Sequence, residues 1–287
     1  MSIGKVIGRG LGYVMLAGIS GSILLLLNHN VAWQRTPPAQ LTMQINQAIA
    51  NSTTWLAART RQVTVEQPNL VLLHMVDDMA AMSGDPLLRL VLDTYLAVPS
   101  QSLWRRLAAR HAIVRAPPQA ELAYYEDYQR WIAHGLAPQL VPLTPADHAA
   151  MFAPDQHHWG SLTHQLIAVL IDREYQGASA ESNTLINHLS ERIAFEAMWD
   201  VRVTDLYLQR LAVLLAAGRP DLVKRRWVER LLSHQKPDGG WISSWHGWGP
   251  DILAFYPGKL DTNAHTTIQG MWTLYMLKYR YPQWREQ

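Results

Sequence analysis

The chain has 287 residues, of which 48% are apolar and 17% are charged, a balance typical of a folded domain and unlike that of a disordered chain. Its net charge of +2 comes without a basic stripe or charge block, so the composition gives no support for a nucleic-acid partner. The absence of cysteine excludes disulfides, thiolate nucleophiles and cysteine-ligated metals.

An uncharged apolar segment runs from Leu11 to Leu27, after Lys5 and Arg9. Its 17 residues are at the lower limit for a helix that spans a bilayer, and no small-residue cleavage pattern follows it. We therefore predict an uncleaved single-pass anchor within residues 1–34. Because the positive charges precede the segment, we expect the N-terminus in the cytoplasm, the helix in the inner membrane and the rest of the chain in the periplasm.

The residues after the anchor predict a short linker followed by one domain. Residues 35–40 contain Pro37-Pro38 and are typical of a stiff spacer that holds a domain away from the bilayer. Residues 41–287 show no strand-like alternation, and apolar residues recur there at helical spacing. Breakers separate the helical segments. They include Gly84-Asp85-Pro86, Pro117-Pro118, Pro138 to Pro145, Gly177, Gly218-Arg219-Pro220 and Pro237 to Gly240.

Two kinds of helical segment alternate along this domain. Segments 162–170, 203–211 and 263–271 align as weak repeats, and each begins with a polar residue and continues as a helix that is apolar on nearly all sides. The helices between them are amphipathic. Helices that are apolar all round are buried, and amphipathic helices cover them. The alternation predicts a closed double ring of helices with the apolar set inside.

A glycine-containing string runs Gln235-Lys236-Pro237-Asp238-Gly239-Gly240-Trp241 and is followed by His265-Thr266-Thr267 and Trp272. It resembles the α/α-toroid superfamily, which includes triterpene cyclases, protein prenyltransferase β-subunits and lanthionine cyclases. The resemblance covers mainly residues 200–280 and implies an all-α fold, an (α/α) toroid of about five helical hairpins. The Asp-rich acid motif of the cyclases is not recognisable, and the cysteine zinc ligands of the other groups are absent. The resemblance therefore implies the fold and not the activity.

The repeat alignment places His164, Asp205 and His265 at equivalent helix starts, with His74 as a fourth candidate. In toroids, the starts of the inner helices surround one mouth, where active sites usually lie. Two imidazoles and a carboxylate can bind a zinc-like divalent metal, and His158 in the preceding loop is a further candidate ligand. Without a metal, an imidazole can act as a general base oriented by the carboxylate. The alternative is that each residue only caps its own helix.

Other candidate site residues flank these helix starts. Asp200 and Arg202 precede the helix of Asp205 and are predicted to share its mouth as catalytic residues, or else to form a local ion pair. The long aromatic loop after residue 240 is typical of a lid or a stacking platform. The predicted substrate-binding residues are Trp241, Trp245, Trp248, Asp251 and Tyr256.

Three functions remain open from the sequence. The first is an enzyme that acts by hydrolysis or elimination on a cell-envelope glycan, peptide or isoprenoid lipid. The second is a non-catalytic module that binds glycan or lipid, and the third is an accessory subunit that binds a membrane-protein partner. The sequence has no phosphate loop, Gly-x-Ser-x-Gly elbow or HExxH motif, and no carboxylate pair of the kind that glycoside cleavage requires is evident from spacing.

Overall fold

A computed structural model describes residues 19–155, 157, 160–242, 247–248, 255–256 and 261–286. The helices are α1 (19–30), α2 (Pro38–Ala57), α3 (Leu70–Ser83), α4 (Pro86–Leu96), α5 (Gln119–Leu122), α6 (Asp127–Leu136), α7 (Pro145–Phe152), α8 (Gly160–Gln176), α9 (Ala180–Trp199), α10 (Asp205–Ala216), α11 (Arg225–Ser233) and α12 (Ala264–Tyr275). Two short strands, β1 (Gly247–Trp248) and β2 (Phe255–Tyr256), pair antiparallel. The predicted all-α class is confirmed.

Shorter helical turns join or extend these helices. They are the 3-10 segments Leu103–Leu107, Pro220–Leu222 and Pro282–Glu286 and the π-helical turns Gln62–Glu66 and Met276–Arg280. The last of these continues α12 directly, and Leu103–Leu107 packs against both α3 and α6.

Local sequence sets several helix boundaries. Gly84 ends α3 in the left-handed conformation, with φ 68°, and the Asp85 carboxylate then accepts the Leu87 N–H at 2.9 Å to cap α4. Thr144 and Pro145 set the start of α7 in the same way, because Thr144 accepts the Asp147 N–H at 3.1 Å and Pro145 is the first residue of the helix.

Pairwise packing connects five helices and one 3-10 segment into a closed circuit. Helix α3 packs against α12, α12 against α10, α10 against α8 and α8 against α6. The segment Leu103–Leu107 closes the circuit between α6 and α3. Helices α4, α9 and α11 lie outside, and α2 covers α12. We call α3, α6, α8, α10 and α12 the inner helices.

Burial follows this division. In α10 every residue from Tyr207 to Leu215 is buried, and in α12 every residue from Thr266 to Tyr275 is buried. The outer helix α11 buries only Trp227, Val228 and Leu231. The predicted alternation of all-apolar and amphipathic helices is therefore confirmed for α10, α11 and α12.

The N-terminal segment differs from its prediction. Helix α2 begins at Pro38, inside the predicted linker of residues 35–40, because proline is well suited to the first position of a helix. The residues before it do not form a free spacer, since Thr36 donates its N–H to Glu229 and its carbonyl accepts from Arg225. Residues 1–18 of the predicted tip and anchor (1–34) lie outside the described residues. Within the described residues, no helix is both long enough and apolar enough to cross a membrane.

Candidate functional site

A cavity of about 330 Å³ lies inside the circuit of inner helices. Its walls come from the first turns of α3, α6, α8 and α12, so these helices begin at one end, which we call the N-terminal mouth. The lining is Pro68, Asn69, Leu70, Val71, Leu72, Met75, Trp104, Tyr128, Gln129, Ile132, His164, Ile167, Gln209, His265 and Gln269. No described lining residue is an Asp, Glu, Lys or Arg. The cavity therefore combines apolar walls with uncharged hydrogen-bonding groups, as ligand pockets commonly do.

His164 lies in this cavity against an aromatic ring from the neighbouring helix. Its imidazole stacks on Tyr128 of α6, with ring centroids 4.3 Å apart and planes 14° from parallel. Burial lowers the pKa of His164 below its usual value, and the positive form of His265 lowers it further, against opposing effects of Glu126 and Asp205. At neutral pH this imidazole is therefore uncharged and able to accept a proton or a hydrogen bond.

His265 lies in the same cavity and contacts a glutamine one turn along α12. The α12 start is fixed by Asn263, which accepts the Thr266 N–H at 3.0 Å. The His265 Nε2 lies 3.0 Å from Gln269 Nε2, so the amide donates and the imidazole accepts. Burial also lowers the pKa of His265, with a smaller opposing effect from Asp205. Its uncharged form matches its role as a hydrogen-bond acceptor.

Gln269 leaves one polar atom available to the cavity. The residue is 1% exposed and lines the cavity, and its Oε1 has no hydrogen-bond partner. A buried carbonyl oxygen without a partner costs about 1–3 kcal/mol, so a ligand hydroxyl or N–H group placed there would be stabilised. Gln209 lies on the neighbouring α10, where its Oε1 accepts from the Thr163 hydroxyl at 2.9 Å.

Asp205 does not line the cavity, but its negative charge acts on the two histidines there. It is the first residue of α10, and its Oδ1 accepts the Leu206 N–H at 2.7 Å. Its carboxylate raises the pKa values of His164 and His265, although burial outweighs it in both. The predicted trio is thus brought together within electrostatic range at the N-terminal mouth, with two members lining the cavity.

The metal hypothesis stays a prediction. Within the described residues, no three His, Asp or Glu side chains are grouped closely enough to hold a metal ion. His158, the fourth predicted ligand, lies outside the described residues.

His74 lies in a different place from the predicted one. It lines a second cavity of about 420 Å³, whose walls include the later turns of α3, α8 and α12, so it belongs to the opposite, C-terminal mouth. There its Nε2 lies 3.4 Å from Glu174. The difference arises at the start of α3. Asn69 is the N-cap of α3, and Asn263 is the N-cap of α12. When these two caps are aligned, the residue of α3 equivalent to His265 is Val71 and not His74.

Asp200 and Arg202 form a buried ion cluster outside the cavity lining. The Arg202 Nε lies 2.6 Å from Asp200 Oδ1, and Arg210 Nη1 lies 2.8 Å from Asp200 Oδ2. Arg210 is fully buried and also reaches Glu196 at 3.2 Å. Of the two predicted roles, the arrangement matches the local ion pair, because all the charges face one another across the α9–α10 connection.

Trp241 lies in the protein core and not on a binding surface. It is 1% exposed, and its indole N–H donates to the Leu231 carbonyl at 2.9 Å. Gln235 donates to the carbonyls of Ala48 and Gly239, both at 2.9 Å. The segment Gln235–Trp241 therefore connects the end of α11 to α2, and Trp241 also hydrogen-bonds Thr266 and Thr267 at the start of α12.

The remaining predicted substrate-binding residues belong to the aromatic loop. Trp245 and Asp251 lie outside the described residues. Trp248 and Tyr256 fall in the strand pair, where Gly247 pairs with Tyr256 and Trp248 with Phe255.

Sequence reasoning missed the glutamines and Tyr128 as site residues. Gln209 and Gln269 are polar residues in the middle of helices that are otherwise apolar on all sides, a signal that a buried hydrogen-bonding site exists. Tyr128 carries no comparable signal in the sequence. Its position on the cavity wall depends on the packing of α6 against α8.

No protein-family model, no curated protein and no solved structure matches this chain.

Removing the ring that buries His164 tests the electrostatics of this cavity. We expect Tyr128→Ala to raise the pKa of His164 toward the ordinary histidine value of about 6.5, because water then reaches the imidazole. NMR titration of the histidine side chains measures this shift. Tyr124→Ala is the control, since Tyr124 is 87% exposed and does not line the cavity. An unchanged His164 pKa in Tyr128→Ala would contradict the assigned cause.

Proposed function

We propose that the protein is an (α/α) toroid enzyme, anchored at the inner membrane by its N-terminal segment, with its domain in the periplasm. The toroid interpretation is supported by five inner helices in a closed circuit of contacts, with other helices outside them. The resemblance of the Gln235–Trp241 string to toroid proteins agrees with this arrangement. The anchor interpretation is supported by the apolar segment 11–27 and by the positive charges that precede it.

The proposed chemistry is hydrolysis or elimination on a cell-envelope glycan, peptide or isoprenoid lipid. One observation carries it: His164 and His265 line the same cavity and both have lowered pKa values. A neutral imidazole can remove a proton from water or substrate, and the resulting imidazolium can donate it to a leaving group. Asp205 lies within electrostatic range and stabilises the imidazolium in that state.

A zwitterionic or strongly anionic reacting group does not fit this cavity well, because its described lining carries no fixed charge. Gln129, Gln209 and Gln269 offer neutral donors and acceptors, which suit hydroxyl and amide groups. The same observation favours a second candidate function, a non-catalytic module that binds such a neutral polar ligand. A partner role in a membrane complex is compatible with either.

Two single histidine variants distinguish the proposed enzyme from the alternative binding module. We expect His164→Gln and His265→Gln each to lower turnover by roughly 100-fold or more, the usual contribution of a general acid–base group. The substrates would be purified peptidoglycan sacculi and an envelope lipid extract, with released products measured by mass spectrometry.

The control is His188→Gln, which changes a half-buried histidine of α9 that contacts Asp155 and does not line the cavity. Equal product release by wild-type protein and both cavity variants would refute the catalytic role. Stoichiometric binding without any product would instead favour the binding module.

A further inference from the structure

The end of α1 is fixed to the helical domain. His29 is 1% exposed, and its Nε2 lies 2.7 Å from the Ala197 carbonyl. Its ring stacks on Trp227, with centroids 6.0 Å apart, and its Nδ1 contacts Arg230. Such a buried and hydrogen-bonded side chain holds the preceding helix in a set direction relative to the domain.

The residues on both sides of His29 add to this attachment. Asn30 donates to the Met198 carbonyl at 2.9 Å and accepts from Lys224 at 3.0 Å. The Asn28 carbonyl accepts from Arg226 at 2.9 Å. Cations therefore surround the last turn of α1, at the point where the helix meets the domain.

This attachment lies at the same end of the domain as the N-terminal mouth. Ala197 and Met198 belong to the last turn of α9, which leads directly into the start of α10. The His29 ring also lies 5.9 Å from the ring of Tyr207, in the first turn of α10. Because the inner helices begin at the N-terminal mouth, α1 joins the domain at that mouth.

Helix α1 and the neighbouring end of α9 carry many exposed apolar side chains. On α1 they are Ile19, Ile23, Leu24, Leu25 and Leu27. At a rotation of about 100° per residue these side chains spread around the helix and do not form one stripe. On α9, Phe195 and Trp199 are 58% and 57% exposed, with ring centroids 6.2 Å apart. Trp33, just after α1, is 67% exposed.

We propose that the surface formed by α1, Trp33, Phe195 and Trp199 lies in a lipid bilayer and its headgroup layer, so that the N-terminal mouth faces the membrane. A helix that is apolar around most of its circumference needs an apolar solvent rather than one partner groove. Tryptophan rings favour the headgroup level, and Lys224 and Arg226 are placed to attract anionic headgroups. The cavity would then receive its ligand from the bilayer surface.

This inference rests on the anchor in the proposed function and adds an orientation to it. The absence of cysteine allows a single cysteine to be labelled at any chosen site. Full-length Phe195→Cys and Trp199→Cys would carry an environment-sensitive fluorophore in phosphatidylcholine vesicles that contain phosphatidylglycerol. Tyr279→Cys is the matched control, because Tyr279 is also an exposed aromatic residue but follows the C-terminal end of α12.

We expect nitroxide-labelled lipid headgroups to quench most of the emission at positions 195 and 199 and to leave position 279 unchanged. Labels at 195 and 199 that stay unquenched on vesicle-bound protein would overturn the orientation and leave the anchor standing. Protein that does not float with the vesicles would overturn both the orientation and the membrane anchor. Emission at 195 and 199 that depends on protein concentration and not on lipid would assign the surface to a second copy, which also overturns the proposal.

Discussion

Asp200→Asn is expected to lower the free energy of unfolding by about 3–5 kcal/mol, the usual cost of breaking a buried ion pair on one side. The Asp200 carboxylate is 3% exposed and accepts from Arg202 and from the fully buried Arg210. Asparagine keeps the size but removes the charge, so Arg210 loses one of its charged partners while Glu196 stays within 3.2 Å. Urea-induced unfolding of the full-length protein measures the loss.

Asp221→Asn is the matched control for this variant. Asp221 also accepts hydrogen bonds from the Nε and Nη2 groups of an arginine two residues away, with Arg219 Nη2 at 2.9 Å, but its side chain is 60% exposed. Exposed pairs of this kind contribute up to about 1 kcal/mol. Adding Arg210→Met to Asp200→Asn should recover part of the stability, since it removes the buried guanidinium. A loss in Asp200→Asn no larger than in the control would contradict the proposed importance of the cluster.

The same cluster predicts how stability depends on pH. Burial raises the pKa of Asp200, but hydrogen bonds and charge from Arg202 and Arg210 outweigh it and hold the pKa below its usual value. The folded pKa is therefore lower than the unfolded one, and the carboxylate stabilises the fold fully at neutral pH. This contribution is lost as the pH falls from about 4, the ordinary aspartate value, through the folded pKa. In Asp200→Asn, the free energy of unfolding should therefore fall less steeply than in the wild type as the pH is lowered through this range.

Gly239→Ala is expected to destabilise the protein by roughly 3 kcal/mol, because two costs add. The backbone has φ 92°, a conformation that strains residues with a Cβ by about 1–3 kcal/mol. The added Cβ would also lie 2.3 Å from the Asn51 carbonyl oxygen of α2, which forces the backbone apart. Urea-induced unfolding again measures the effect.

Gly84→Ala separates these two costs. Gly84 has a comparable φ of 68°, and nothing lies within 4 Å of a Cβ added there. It should therefore show only the backbone cost of about 1–2 kcal/mol. Equal losses in the two variants would mean that the turn at Gly239 does not hold α2 tightly against the end of α11.

The sequence alone determined the helical class and many boundaries, because these depend on local chemistry. Gly84, Asp85 and Pro86 end one helix and start the next through their own backbone preferences and side-chain caps. Thr144 and Pro145 begin α7 for the same reason. The alternation of helices also followed from composition, since a segment such as 207–215 without an exposed face has to be buried.

Only the tertiary structure decided which polar residues meet. The sequence grouped His74 with His164 and His265, but the cap at Asn69 fixes the start of α3 and moves His74 to the opposite mouth. A shift of one helical turn is invisible in a weak repeat, yet it changes the cavity that a side chain reaches.

The partners of buried charges and amides were likewise set by packing between distant segments. Arg210 meets Asp200 because α10 folds back along α9, and His29 is buried because α9, α10 and α11 all contact it. Gln269 lies on the cavity wall because α12 packs between α10 and α3. Local propensity specifies helices, whereas contacts between residues far apart in the chain depend on the free energy of the whole packed arrangement.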